Sequence, residues 1–151
     1  MAVIETDRNP EFPLLNEGAR LYILVRTDIS QLNPGKLGAQ AAHAGTQFMA
    51  DVIAKDNVNL TGQMQDWLNQ GGGGFGTKIT LAALEEEIPV TCQRMRDFGL
   101  QANTVVDPTY PMLNYFKVPF TRAELTCGYV FCPPDTPAAA LEVLRQFDLH
   151  P

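Results

Sequence analysis

The segment RLYILVR (residues 20–26), followed after a short loop by KLGAQAAHAGTQFMADV (residues 36–52), decides the fold class. The first is a brief apolar run between two arginines, too short for a helix and suited to a buried strand. The second is alanine-rich and strongly helical by propensity. Its apolar positions Leu37, Ala41, Ala44 and Phe48 step by four, three and four, as one face of a helix requires. A strand running into an amphipathic helix opens a layered α/β domain.

The alternation continues downstream. Residues 77–83 (TKITLAA), 101–106 and 125–131 read as three further strands. Residues 85–98 read as a helix with Gly99 as its stop; its start is left open by Pro89, which fits a first turn better than an interior position. Thr136 and Pro137 cap a last helix that reaches about Phe147. Residues 57–70 form a polar connection around Trp67 with room for one short helix, and 71–76 a flexible glycine hinge. Residues 108–124, with prolines at 108, 111 and 119, read as a long structured loop. The expected division is an N-terminal extension (1–19), an α/β domain (20–132) and a C-terminal helical extension (133–151).

Composition bounds the function. A chain of 151 residues with 45% hydrophobic content is long enough for one domain with its own core. No apolar run approaches the ~20 residues of a membrane span, and residues 1–13 lack the apolar stretch of a secretory signal. The expectation is a soluble cytoplasmic protein with no membrane partner. Cys92, Cys127 and Cys132 give an odd number without a Cys-x-x-Cys pair, so reduced thiols are expected rather than a disulfide framework. His43 and His150, the two histidines, have no ligand-spaced neighbours, and no metal site is expected. The net charge of −6 argues against non-specific binding to DNA or other nucleic acid but leaves room for a local basic patch.

Three features invite a chemical reading. Gly71, Gly73 and Gly76 satisfy G-x-G-x-x-G, but phosphate loops need a strand before and a helix after, and here a strand follows. No ATP or NAD binding is expected. Lys36, Gln40, His43 and Gln47 lie at i, i+4, i+7 and i+11, within a sector of roughly 60° on a helix. Spacing alone fits a solvated face best; the same row beside the apolar stripe can instead line a groove that recognises a phosphate or a polarised carbonyl. Asp107 ends a strand read as interior, at the kind of strand end where α/β sheets collect ligand groups, although Asp before Pro108 is also a common turn opening.

At these residues the chain resembles the archaeal/eukaryotic-type (class II) peptidyl-tRNA hydrolases. The resemblance rests on LVRTD at 24–28 and GKLGAQAAHA at 35–44. It continues through Trp67, the strand opening at Gly76–Ile79, the helix end Phe98-Gly99-Leu100, Val105-Val106-Asp107, and Leu125-Thr126-Cys127-Gly128. It covers about residues 20–132, and the helix motif is its specific part. One place departs: the family follows its Asp with Ala-Gly, a basic residue and a Thr, whereas Asp107 precedes Pro108-Thr109-Tyr110-Pro111 and an enlarged segment.

The resemblance implies a three-layer α/β/α sandwich on a four-stranded mixed sheet, commonly dimeric, that cleaves the ester joining a peptide to the 3′ end of tRNA. It carries over Lys36, Asp107 and Thr126 as catalytic residues, with Gln40 and His43 as substrate-binding positions and no cofactor. Thr109, Lys117 and Arg122 join the substrate-binding set by position, the last two as replacements for the missing basic residue. Two alternatives stand beside the hydrolase: a non-catalytic binding module on the same fold, and an esterase for a smaller substrate.

Overall fold

Strand β1 (Arg20–Arg26) is covered on both faces, which is why its apolar residues run on instead of alternating. In the computed structural model, which describes residues 18–29, 32–70 and 73–151, Leu21, Ile23 and Val25 face one helical layer and Leu24 the other. The remaining elements are α1 (Pro34–Lys55), α2 (Val58–Asn69), β2 (Lys78–Ala83), α3 (Glu87–Asp97), β3 (Gln101–Leu113), β4 (Pro119–Cys132) and α4 (Ala138–Leu144). The sheet order is β2-β1-β4-β3. β1 is parallel to β2 and antiparallel to β4, and β3 is antiparallel to β4. Helices α1 and α2 cover one face, α3 and α4 the other, so the expected α/β/α layering on a mixed sheet is present.

Helix α1 starts where side-chain chemistry places it. The Asn33 side chain accepts from the Lys36 amide at 2.9 Å, and Pro34 fills the first turn, where its missing N–H costs nothing. Its apolar stripe delivers Ala44, Phe48 and Val52, all fully buried, onto the sheet. Phe48 stacks on Phe131 with centroids 4.8 Å apart and meets Trp67 edge-on at 5.4 Å. Trp67 belongs to α2, so the polar connection expected at 57–70 is a 12-residue helix. Asn57 caps it by accepting from the Leu60 amide at 3.1 Å.

Trp67 also fixes the backbone at Gly76, where the glycine run ends. Its indole N–H donates to the Thr77 carbonyl at 2.9 Å, and Gly76 passes under the ring with φ +69°. A Cβ on Gly76 would lie 2.2 Å from the ring. Gly76→Ala therefore combines left-handed strain with overpacking, and is expected to destabilise by about 2–4 kcal/mol, read as a lowered urea midpoint at unchanged m-value. Residues 71 and 72 of the expected hinge lie outside the described residues, as does most of the 1–19 extension. A strand, β2, does follow the run.

The segment 108–124 corrects the sequence reading. It is not a long loop: β3 and β4 continue through it as a ribbon paired to Leu113↔Pro119. Prolines 108 and 111 signalled a break, but β3 is the outer strand of the sheet, where a missing N–H is tolerated. Asp107 accordingly lies inside an edge strand, not at the end of an interior one. A smaller correction concerns Thr136, whose hydroxyl donates to the Pro133 carbonyl at 2.6 Å and does not cap α4. Residues beyond 132 pack into the sheet: Ala140 and Leu144 are buried, and Leu149 bridges Leu81 on the outer edge of β2.

Candidate active site

The polar row of α1 faces β3 along nearly its whole length. The Lys36 ammonium donates to the Pro111 carbonyl at 3.1 Å, the Gln40 amide to Asp107 at 2.7 Å, and the Gln47 amide to the Thr104 carbonyl at 2.8 Å. The sequence row stopped at Gln47, but the pattern continues: Asp51 accepts from Asn103 at 3.3 Å, and Lys55 donates to Gln101. As the helix residues ascend, their partners on β3 descend, so α1 lies antiparallel to the edge strand. The row is a seam between helix and sheet, not a solvated face.

Two irregularities in the ribbon build the centre of this seam. On β4, Val105 pairs with Cys127 and Val106 with Leu125, leaving Thr126 as the extra residue of a bulge. Consecutive side chains then reach the same helix residue: the Thr126 hydroxyl donates to Gln40 Oε1 at 2.6 Å, and the Cys127 thiol contacts the Gln40 carbonyl at 3.5 Å. On β3, the second shift falls between Asp107 and Tyr110. There the Thr109 amide donates to Asp107 Oδ1 at 2.9 Å, closing an Asx turn that Pro108 favours.

Gln40 is therefore a bridge. It receives the Thr126 proton on one side of its amide and gives its own to Asp107 on the other, all three side chains being buried. Burial raises the Asp107 pKa, but bonds from Gln40 and Thr109 and the nearby His43 outweigh it and hold the carboxyl below its usual range. Asp107 is an anion at neutral pH. His43 Nε2 stands 3.9 Å from Asp107 Oδ2, with the ring half exposed, and marks the solvent side of the site. Lys36 stands over the Tyr110 ring, 5.3 Å from its centroid.

The structure thus brings together Gln40, His43, Asp107, Thr109 and Thr126, with Lys36 one turn along α1 against Tyr110 and Pro111. The other two expected residues stand apart. Arg122 pairs with Tyr110 across the ribbon but directs its guanidinium to Glu124, and Lys117 sits in the turn beyond Leu113 with φ +60°.

Arg26, within the LVRTD stretch, is structural support for the site. The guanidinium is buried, pairs with Asp28 at 2.9 Å, Glu124 at 3.1 Å and Glu85 at 3.3 Å, and donates to the Leu125 carbonyl at 3.1 Å. It clamps the end of β1 to β4 immediately beside the Thr126 bulge. An arginine closing an apolar strand was the available signal. The three cysteines are buried and free; burial pushes the Cys127 thiol up to about 11, so it is not a thiolate nucleophile.

Among the described residues, no three side chains of His, Cys, Asp and Glu converge as a metal would require, and no helix is long and apolar enough to cross a membrane. Comparison with known proteins points to a family and to a curated relative. The family described as "Peptidyl-tRNA hydrolase PTH2" matches residues 19–114, from β1 through the Asp107 bulge to the end of β3. A curated peptidyl-tRNA hydrolase of Saccharolobus solfataricus is 35% identical over 52 residues, which are 34% of this chain and 42% of that protein. The chain thus spans less than half the length of that relative. With the family match running over most of the chain and through Gln40 and Asp107, this chain belongs to the PTH2 family of peptidyl-tRNA hydrolases.

Proposed function

We propose that the chain hydrolyses the ester between a peptide, or an N-blocked aminoacyl group, and the 3′ end of tRNA. The observation that carries this reading is the Gln40 bridge, which fixes an ionised Asp107 between Thr126 and the solvent-facing His43, with Lys36 one turn away on the same helix. Water attacks the acyl carbon, the carbonyl oxygen becomes an oxyanion, and collapse expels the ribose 3′ oxygen, which takes up a proton. Asp107 orients the water and steadies the charge of its developing proton. Its depressed pKa suits that task better than proton abstraction, and His43 is the adjacent base. Lys36 exchanges the Pro111 carbonyl for the oxyanion or a backbone phosphate. Membership of the family supports a peptidyl-tRNA substrate, a cytoplasmic setting and a homodimer.

The direct test is incubation with N-blocked aminoacyl-tRNA, with release of free tRNA as the expected result. A protein that binds this substrate without releasing tRNA is a binding module, and one that cleaves only small N-acyl esters is a different esterase. The basic residues give a separate expectation. Lys117→Ala lowers the salt slope of tRNA binding by about 0.7–0.9, one phosphate contact. Arg122→Ala lowers it less, because Glu124 already holds that guanidinium. Equal slopes for wild type and Lys117→Ala would remove Lys117 from the tRNA surface.

A further inference from the structure

The hairpin tip carries an aromatic pair that the hydrolytic site does not use. Tyr115 is 93% exposed and Phe116 80% exposed, far more than an unbound soluble surface needs of two adjacent large rings. Leu113, Val118 and Phe120 extend the exposed apolar surface down the ribbon. The tip is built rather than loose. Asn114 Oδ1 accepts from the Phe116 amide at 2.8 Å and the Val118 amide at 3.0 Å, while its carbonyl accepts from the Lys117 amide at 2.9 Å. These bonds hold Lys117 at φ +60°, a conformation that a lysine adopts only when its surroundings impose it. The two rings meet edge-on at 5.4 Å, so each keeps a face available.

Charge and backbone narrow the occupant. Residues 108–123 contain Lys117 and Arg122 and no Asp or Glu, in a chain of net charge −6. A peptide adding to the β3 edge would need regular N–H groups, but Pro108, Pro111 and the bulge interrupt them. What remains is recognition by side chains: exposed π faces beside one cation, on a segment free of acids. That is the chemistry of single-stranded nucleic acid, whose bases stack on aromatics while the backbone meets lysine. The ribbon places the tip roughly 20 Å from Asp107 at about 3.3 Å per residue. A single strand advancing about 3.4 Å per stacked nucleotide covers that span in about six nucleotides, fewer when extended.

We propose that Tyr115 and Phe116 form a stacking platform for unpaired bases near the 3′ end of the RNA whose terminal ester lies at Asp107. The platform rests on the hydrolase reading for its placement but is tested without hydrolysis. The full chain is titrated into a labelled single-stranded hexaribonucleotide ending in CCA and followed by anisotropy. Y115A/F116A is expected to weaken binding roughly 10- to 100-fold with an unchanged salt slope, because stacking carries no counterion term. Blunt duplex RNA is expected to bind both proteins alike. In a second variant, Y115W, the indole emission is expected to quench as the hexamer saturates.

Equal affinities for wild type and Y115A/F116A, or unquenched Y115W at saturating RNA, would overturn the platform. So would a wild-type dimer that Y115A/F116A dissolves, since the rings would then serve a second copy of the chain. The two readings fail separately. A protein that releases tRNA but binds the hexamer without its aromatics keeps the hydrolase and loses the platform. One that needs the aromatics but releases nothing does the reverse.

Discussion

Asp107→Asn and Lys36→Ala are each expected to lower kcat/KM for N-blocked aminoacyl-tRNA by about 10²-fold or more. The asparagine keeps an acceptor for the Gln40 amide, so the fold survives, but it removes the negative charge and sets an N–H₂ donor against the Thr109 donors that now face Oδ1. Lys36 is partly exposed and its ammonium bonds a single carbonyl, so its loss barely touches the core. His43→Ala should cost less than either, since water can take up a proton that His43 no longer accepts. Wild-type turnover by Asp107→Asn, with circular dichroism unchanged, would remove Asp107 from the mechanism.

Gln40→Leu should do more than any change at the rim, because the bridge satisfies two buried partners at once. Without it the Thr126 hydroxyl loses its acceptor and the Asp107 carboxylate one of its donors. A cost of about 2–4 kcal/mol is expected, roughly 5–15 °C in Tm. The pH dependence distinguishes this from simple loss of packing. In the wild type the folded carboxyl titrates below its unfolded value, so its contribution to stability is present above the ordinary carboxylate range near pH 4 and is lost as pH falls through the lowered folded pKa. In Gln40→Leu the raising effect of burial meets less opposition. Asp107 should therefore protonate at higher pH, and the acid limb of the kcat/KM profile should move upward. An unmoved acid limb would mean that Gln40 does not control the charge of Asp107.

Much of this arrangement was legible in the sequence, for reasons specific to each element. β1 and α1 announced themselves because a doubly covered strand is uniformly apolar and an alanine-rich helix shows its period clearly. The spacing of Lys36, Gln40, His43 and Gln47 gave a shared direction but not what lay in that direction; a helix period does not reveal the strand it meets. The ribbon was hidden by its prolines, which read as breaks unless the strand is known to be an edge. Thr126 illustrates a deeper limit. Strict alternation would send Thr126 and Cys127 to opposite faces, and only the register shift brings both to Gln40. α2 was obscured because only Met64 and Trp67 of its side chains are fully buried, too few to stand out from a polar stretch.

The α1–β3 seam divides the molecule into parts that accept change in chain length and parts that do not. Deleting one residue between Lys36 and Lys55 turns everything beyond it by ~100° and draws it back ~1.5 Å, so every downstream partner on β3 is missed together. Lengthening the ribbon at its tip by one residue on each strand leaves Asp107↔Glu124 and Val105↔Cys127 where they are. The helix acts as a fixed ruler and the hairpin as an adjustable arm. Variation in length can therefore accumulate at residues 114–118 while the distance from Gln40 to Asp107 stays the same.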